Sequence, residues 1–198
     1  MIEIVRNIVA ESLTVKERFF AEQADQIVRA AEIIAAAFRA DHKILLCGNG
    51  GSAADAQHIA AEFINRFIIA DRRALPAIAL ATDGGVLTSI SNDAAFAQIF
   101  ARQIDALGER GDVLVALSTS GNSPNIVCAA ERARARAMRI IGLLGRDGGR
   151  VAPLCDLALI VPSTSTQRIQ ETHNLLGHII CELVERDLFP EQFEEKGA

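Results

Sequence analysis

The residues best suited to chemistry in this 198-residue chain fall in three places. Two are stretches of small residues, Cys47-Gly48-Asn49-Gly50-Gly51-Ser52-Ala53-Ala54-Asp55 and Ser118-Thr119-Ser120-Gly121-Asn122-Ser123-Pro124-Asn125. In both, small side chains let main-chain N–H groups converge on a ligand, and a helix N-terminus is expected directly afterwards. Unsatisfied amides and the helix dipole favour an anion there. Ser123 before Pro124 fits an N-cap with proline at the first helical position. Capping does not account for Ser118, Thr119 and Ser120 at the end of a buried strand, and three hydroxyls beside main-chain amides suit a phosphate monoester. Neither stretch contains Lys or Arg, so the anion would be held by amides, hydroxyls and helix ends rather than by a basic patch. Gly48-x-Gly50-x-x-Ala53 also satisfies a relaxed dinucleotide fingerprint. The acidic residue expected about 20 positions on is not in place, because Asp71 precedes the second strand and Asp83 comes late. The absence of Gly-Lys-Ser/Thr excludes a P-loop. Taken alone, the first stretch also reads as a tight glycine turn.

The third place is spread over two helical patterns. His58 and Glu62 are four apart and share a helix face, and the last helix carries Gln170, Glu171, His173 and His178. Imidazole, carboxylate and amide groups of this kind could ligate zinc or transfer protons. Gln170 and His178 are separated by about 12 Å along a helix axis, so spacing alone does not bring them to one atom, and a solvated His/Glu pair is the competing reading.

The elements that must position these groups follow from periodicity. Residues 1–40 read as a long helical arm, with Val5, Ile8, Val9 and Leu13, then Phe20, Ile27, Ala31 and Ile34, at three- and four-residue steps. An arm of that length needs a partner helix or another subunit to pack against. From residue 42 short apolar runs alternate with helical stretches. Strands are expected at Lys43–Cys47, Ala77–Ala81, Asp112–Leu117, Arg139–Leu144 and Leu157–Val161, and helices at 52–69, 94–107, 124–137, 149–154 and 166–188. This β-α alternation predicts an α/β doubly wound fold on a five-stranded parallel sheet, with long N-terminal and C-terminal helices. Residues 1–198 read as a single domain, with the arm at 1–40, the core and last helix at 41–190 and a polar, frayed tail at 191–198.

Composition limits the alternatives. Half the residues are hydrophobic, 23% are charged and the formal net charge is -5, a balance that argues for a packed globule and against a nucleic-acid or anionic-membrane surface. Trp and Tyr are absent, which removes the usual stacking platforms for single strands. No window approaches 18 consecutive apolar residues, and Met1-Ile2-Glu3-Ile4 lacks a signal-peptide pattern, so the expected location is cytoplasmic. Cys47, Cys128, Cys155 and Cys181 are scattered singly and read as reduced, unreactive thiols.

Four segments together, Cys47–His58, Ser91-Asn92-Asp93, Ser118–Ser123 and Arg168-Ile169-Gln170-Glu171-x-His173, resemble the sugar isomerase (SIS) domain, and within it the phosphoheptose isomerases. The resemblance runs through essentially the whole chain. It implies a flavodoxin-like SIS fold and a homotetramer with active sites at subunit interfaces. It also implies conversion of sedoheptulose 7-phosphate to D-glycero-D-manno-heptose 7-phosphate, the first step toward the ADP-heptose of the lipopolysaccharide core. By position, Ser118, Thr119, Ser120 and Ser123 would hold the phosphate with Ser52 nearby, and Asn49, Gly50, Gly51, Asn92 and Asp93 would contact the sugar. His58, Glu62, Gln170 and His178 would match the zinc ligands, Gln170 also touching substrate, and Glu62 and His178 would be the acid–base pair. Whether zinc is catalytic or structural stays open at this point. The stretches Ile64-Asn65-Arg66-Phe67 and Asp187–Gln192 are similar to the DnaA initiator-associating protein, a non-enzymatic tetramer of the same fold that lacks the glutamate and the final histidine. Here both positions carry the catalytic residue types, which favours the enzyme over a binding module or an isomerase for another phosphosugar.

Overall fold

A computed structural model of the chain describes residues 1–194. Five runs of Ile, Leu, Val and Ala become the strands β1 Ile44–Cys47, β2 Ala77–Ala79, β3 Val113–Ser118, β4 Arg139–Gly145 and β5 Leu157–Val161. The central strands β1 and β3 are buried along their whole length, because helices cover both faces of the sheet. Successive residues therefore feed two separate cores. Ile44, Leu46, Val113, Val115 and Leu117 pack with α1 (Ile2–Arg39), α2 (Gly51–Ile64) and α6 (Thr166–Leu188). Leu45, Cys47, Leu114 and Ala116 pack with α4 (Ile99–Leu107) and α5 (Pro124–Ala135), with Leu87 and Ile90 of α3 (Gly84–Asp93) at the margin.

The strand order is β2-β1-β3-β4-β5, all parallel. The chain winds one way from β1 to β2 and the other way from β3 onward. The loops leaving the carboxyl ends of the adjacent strands β1 and β3 therefore diverge and open a crevice. Those loops are the two small-residue stretches. The doubly wound fold with long terminal helices is the one the sequence predicts.

Helix α1 divides in two. From Phe19 onward its apolar stripe is buried, with Phe19, Ile27, Ile34 and Phe38 in the core shared with α6. Before that, Ile2, Val5, Ile8, Val9 and Leu13 remain 46–71% exposed. Arg168 Nη1 donates to Ile8 O at 2.7 Å and Ser12 Oγ donates to Glu171 Oε2 at 2.7 Å, so α6 touches this half of the arm along one side only.

Several boundaries differ from the sequence expectation: β2 ends at Ala79 rather than Ala81, and the short helix expected at 149–154 is only a 3-10 turn at Ala152–Leu154. The helix expected at 94–107 is a 3-10 turn at Phe96–Gln98 followed by α4, and α3, just before it, is a helix the sequence reading left out. Helix α3 opens with two glycines, poor helix formers, and none of its residues is fully buried, so it lacks the stripe that reveals a helix. It forms because Asp83 caps it, accepting from Val86 N at 2.9 Å. The helix expected at 52–69 stops at Ile64, where Arg72 bonds to the last-turn carbonyls of Glu62 and Phe63 and Glu185 takes the amides of Phe67, Ile68 and Ile69 beyond it. Residues 191–194 of the expected frayed tail form one helical turn, α7, and 195–198 lie outside the described residues. Among the described residues, no helix is long and apolar enough to cross a membrane. Cys47 and Cys181 are buried, while Cys128 and Cys155 are half-buried, and all four are free thiols. Burial pushes the Cys47 and Cys181 thiols up, which suits the unreactive role expected of them.

Candidate active site

The crevice is built by the first loop and the helix it launches. Gly50, with φ of 55°, turns the chain from β1 into α2. At Gly51, the first residue of α2, any Cβ would collide with the carboxamide of Gln170 on α6. The absence of a side chain thus sets how closely α2 and α6 approach. The two helices run side by side in the same direction, with Gly51 against Gln170, Asp55 against Asn174 and His58 against His178. Asn49 ties this loop to the second across the crevice, through reciprocal side-chain hydrogen bonds with Asn125 of 2.8 and 2.9 Å.

The second loop is rigid for local reasons. Ser118, buried at the end of β3, accepts from Gly121 N at 3.1 Å, and its Oγ lies 3.5 Å from Ser123 Oγ. Gly121 has φ of 63°, and a Cβ there would strike the carbonyl of Gly148, so the 145–150 loop is seated directly on this turn. Asn122 extends the link by accepting from Arg150 N at 3.2 Å. Ser123 occupies the N-cap of α5 with Pro124 behind it, as predicted, but its hydroxyl makes no capping bond. Ser118 is therefore part of the loop's own scaffold, whereas Thr119, Ser120 and Ser123 are half-buried hydroxyls beside the start of α5.

Farther along the α2/α6 seam lies the acid–base cluster. His58 Nε2 and His178 Nε2 face each other at 2.9 Å, and His58 Nε2 is 3.3 Å from Glu62 Oε1. His58 is 45% exposed and Glu62 26%. The ring of Phe67 stacks on the His178 imidazole with centroids 5.6 Å apart and planes at 26°. Two imidazoles and a carboxyl group meeting at one point form a donor set that suits zinc. It is not a closed cage: among the described residues no group of three or more His, Cys, Asp or Glu has full metal-site spacing. Ligand atoms on a tetrahedral zinc stand about 3.3 Å apart, given bonds of about 2.0–2.1 Å, so the carboxylate distance already fits while the imidazoles need slight separation.

Gln170 does not join this cluster within the chain. Two turns earlier on α6, its amide lies against Gly51, beside Asp55. Asp55 is 6% exposed, accepts from Asn174 Nδ2 at 3.4 Å and leaves Oδ2 without a partner. Burial pushes its carboxyl up, against the opposing pull of Asn174, Gln170 and His58. Asp55, Gln170 and Asn174, with Lys16, Gln167 and Glu171, line a polar cleft of about 540 Å³. Asn92 and Asp93 are elsewhere: exposed at the end of α3, on the opposite layer of the sheet, and bonded to each other at 2.8 Å.

His173 has a structural place. It is fully buried with Nε2 2.9 Å from Leu144 O, and burial pushes its pKa down to about 4. Sequence reading assigned no role to Asp55, Asn125, Asn174 or Phe67. Asp55 and Asn125 lie inside the two recognised loops, so their positions carried the signal, but their chemistry becomes visible only once α6 is docked.

This fold, with hydroxyl-rich loops at its switch point and an imidazole–carboxylate cluster beside them, is that of a SIS domain, and residues 9–145 match the family described by that name. The chain is 52% identical over 188 residues to a phosphoheptose isomerase of Desulfovibrio desulfuricans, covering 95% of this chain and 89% of that protein. It is 50% identical to one of Clostridium acetobutylicum, covering 98% and 96%. The solved structure of phosphoheptose isomerase GmhA from Neisseria gonorrhoeae superposes with a TM-score of 0.88 at 45% identity, covering 92% of this chain and 97% of that one. The chain belongs to the phosphoheptose isomerase family. It is a phosphosugar isomerase of the aldose–ketose class.

Proposed function

We propose that the chain converts sedoheptulose 7-phosphate to D-glycero-D-manno-heptose 7-phosphate through a cis-enediol, the step that leads toward the ADP-heptose of lipopolysaccharide. The observation that carries this reading is the meeting of Glu62, His58 and His178 between α2 and α6, beside a crevice flanked by Thr119, Ser120 and Ser123. Amides of the loops and the N-terminus of α5, with these hydroxyls, hold the phosphate. Gly50, Gly51, Ser52 and Asn49 line the path from there to α2. Moving a carbonyl from C2 to C1 requires removing a proton from C1 and returning one at C2. Glu62 takes the carbon-bound proton as its carboxylate, and His178 carries a proton between the two oxygens. General acid–base help of this kind contributes about 10²–10⁴-fold.

His58, Glu62 and His178, with Gln170, would hold zinc, which when bound supplies a Lewis acid for the substrate carbonyl and its enediolate. Gln170, Asn92 and Asp93 do not reach the cluster within one chain, and the first half of α1 exposes a continuous apolar stripe. Both observations support a homotetramer whose sites draw on more than one subunit.

The test is direct. Zinc-loaded protein incubated with sedoheptulose 7-phosphate is expected to yield the aldose, and Glu62→Gln is expected to do so about 10²–10⁴-fold more slowly with the assembly intact. No aldose from the wild type would overturn the reading, and turnover only of shorter phosphosugars would reassign the substrate.

A further inference from the structure

Between α2 and β2 the chain crosses α6 in residues 65–76, a largely exposed segment pinned by one desolvated ion pair. The side chains of Arg72 and Glu185 are 0% and 1% exposed, with Arg72 Nε donating to Glu185 Oε1 at 2.5 Å. Glu185 also accepts from three consecutive main-chain amides, Phe67 N at 3.0 Å, Ile68 N at 2.9 Å and Ile69 N at 3.1 Å. Arg72 in turn donates to the carbonyls of Glu62 at 2.6 Å and of Phe63 and Arg73, each at 2.9 Å. A buried pair adds little net stability over apolar residues of the same size, because desolvation offsets the attraction. Its distinctive effect is geometric, since every group must sit at hydrogen-bond distance for the charges to be tolerated.

The geometry it fixes is that of the acid–base cluster, at two points. Arg72 holds the carbonyl of Glu62 itself, in the last turn of α2. Glu185 sets the backbone of Phe67, whose ring lies on His178, and Glu185 is on the same helix two turns beyond that histidine. Both partners of the reaction are thereby indexed to one rigid pair. Two rings lie against the His178 imidazole, those of His58 and Phe67, and of these only Phe67 stacks on its face.

We propose that the Arg72–Glu185 pair and Phe67 form a positioning device for catalysis, with Phe67 as the positioning residue that holds the His178 ring in line with Glu62. This rests on the isomerase reading above and adds to it a residue with no acid–base chemistry of its own. Glu185→Ala strips a buried guanidinium of its partner and threatens the fold, so the deciding variants are at Phe67, which is half-buried.

Phe67→Leu is expected to lower kcat about 10- to 100-fold with KM within twofold, because a small misplacement of a reacting group costs that much. Phe67→Tyr is expected to restore kcat. Zinc content and circular dichroism are expected to match the wild type. A readout independent of turnover accompanies these: loss of the stacked ring should move the ring-proton resonances of His178 downfield while those of His42 and His173 stay in place. Wild-type kcat in Phe67→Leu, an effect confined to KM, or an unmoved His178 resonance would overturn the inference. A wild type that is inactive on every ketose phosphate tried would instead overturn the functional reading, and this one with it.

Discussion

Two charged clusters join the same pair of helices and differ in how fully their polar atoms are satisfied. In the Arg72–Glu185 pair both side chains are out of solvent and carry at least four hydrogen bonds each. In the His58–Glu62–His178 cluster the groups are partly exposed and meet mainly one another. The first cluster, out of solvent and nearly saturated, offers no site for a ligand, and the second has little else to do. Saturation makes a carboxylate a structural fixture, and incomplete satisfaction beside a crevice leaves one free to take a proton. Glu62 and Glu185 are the same residue type on adjoining helices, so the difference lies in surroundings alone.

Exchanging the two glutamates' fates is the sharpest way to break this contrast. Glu62→Gln is expected to reduce isomerisation by about 10²–10⁴-fold, while urea unfolding at fixed protein concentration shifts by no more than about 0.5 kcal/mol. Activity above a tenth of wild type in that variant would remove Glu62 from the proton transfer. Glu185→Ala is expected to do the converse. Leaving Arg72 buried and unpaired should lower unfolding free energy by about 3–5 kcal/mol, measured by the same urea titration. A loss below about 1 kcal/mol would mean that the pair does not anchor the 65–76 segment.

The contrast recurs between two histidines of α6. His178 lies at the open seam, whereas His173 is sealed in the core with its ring against Leu144 O. Burial lowers the His173 pKa from 6.5 to about 4, so the unfolded chain takes up a proton that the folded chain refuses. The stability this gives is complete above pH 6.5 and is lost as the pH falls from there toward 4, by roughly 3 kcal/mol at about 1.4 kcal/mol per unit. His173→Gln is expected to flatten that part of the stability–pH curve in urea melts between pH 7 and pH 4. An unchanged slope would show that other groups cause it.

How legible each region was follows from the same physics. The loops at 47–55 and 118–125 could be read because small residues and hydroxyls at strand ends have few structural uses, and the strands because both faces are apolar. Helix α3 was hidden by Gly84 and Gly85 and by the lack of a buried stripe, since only Leu87 and Ile90 lean on the margin of the core. Arg72 and Glu185 were invisible because 113 residues separate them and each reads in sequence as an ordinary solvated charge. Gln170 was grouped with His178 by resemblance, and the two-turn spacing that spoke against a meeting within one chain is what the structure shows.

The smallest effect separates two serines of one loop and carries the comparison to the phosphate side. Ser118 is buried, and its oxygen already accepts from Gly121 N, so it behaves as Glu185 does. Ser120 is half-buried and accepts only from the exposed Asn122 N at 3.2 Å, which leaves its hydroxyl proton free to donate. A hydrogen bond to a charged oxygen contributes about 1.5–3 kcal/mol, so Ser120→Ala is expected to raise KM for the phosphorylated sugar at least about tenfold with kcat within twofold. Ser118→Ala is expected to lower unfolding free energy by about 0.5–1.5 kcal/mol, because the Gly121 amide keeps only its longer 3.3 Å bond to Ser118 O. Steady-state kinetics and urea melts on the two variants, run side by side, separate the roles. An unchanged KM in Ser120→Ala would take that hydroxyl out of the phosphate site and leave the amides of the loop and of the α5 N-terminus to hold the anion alone.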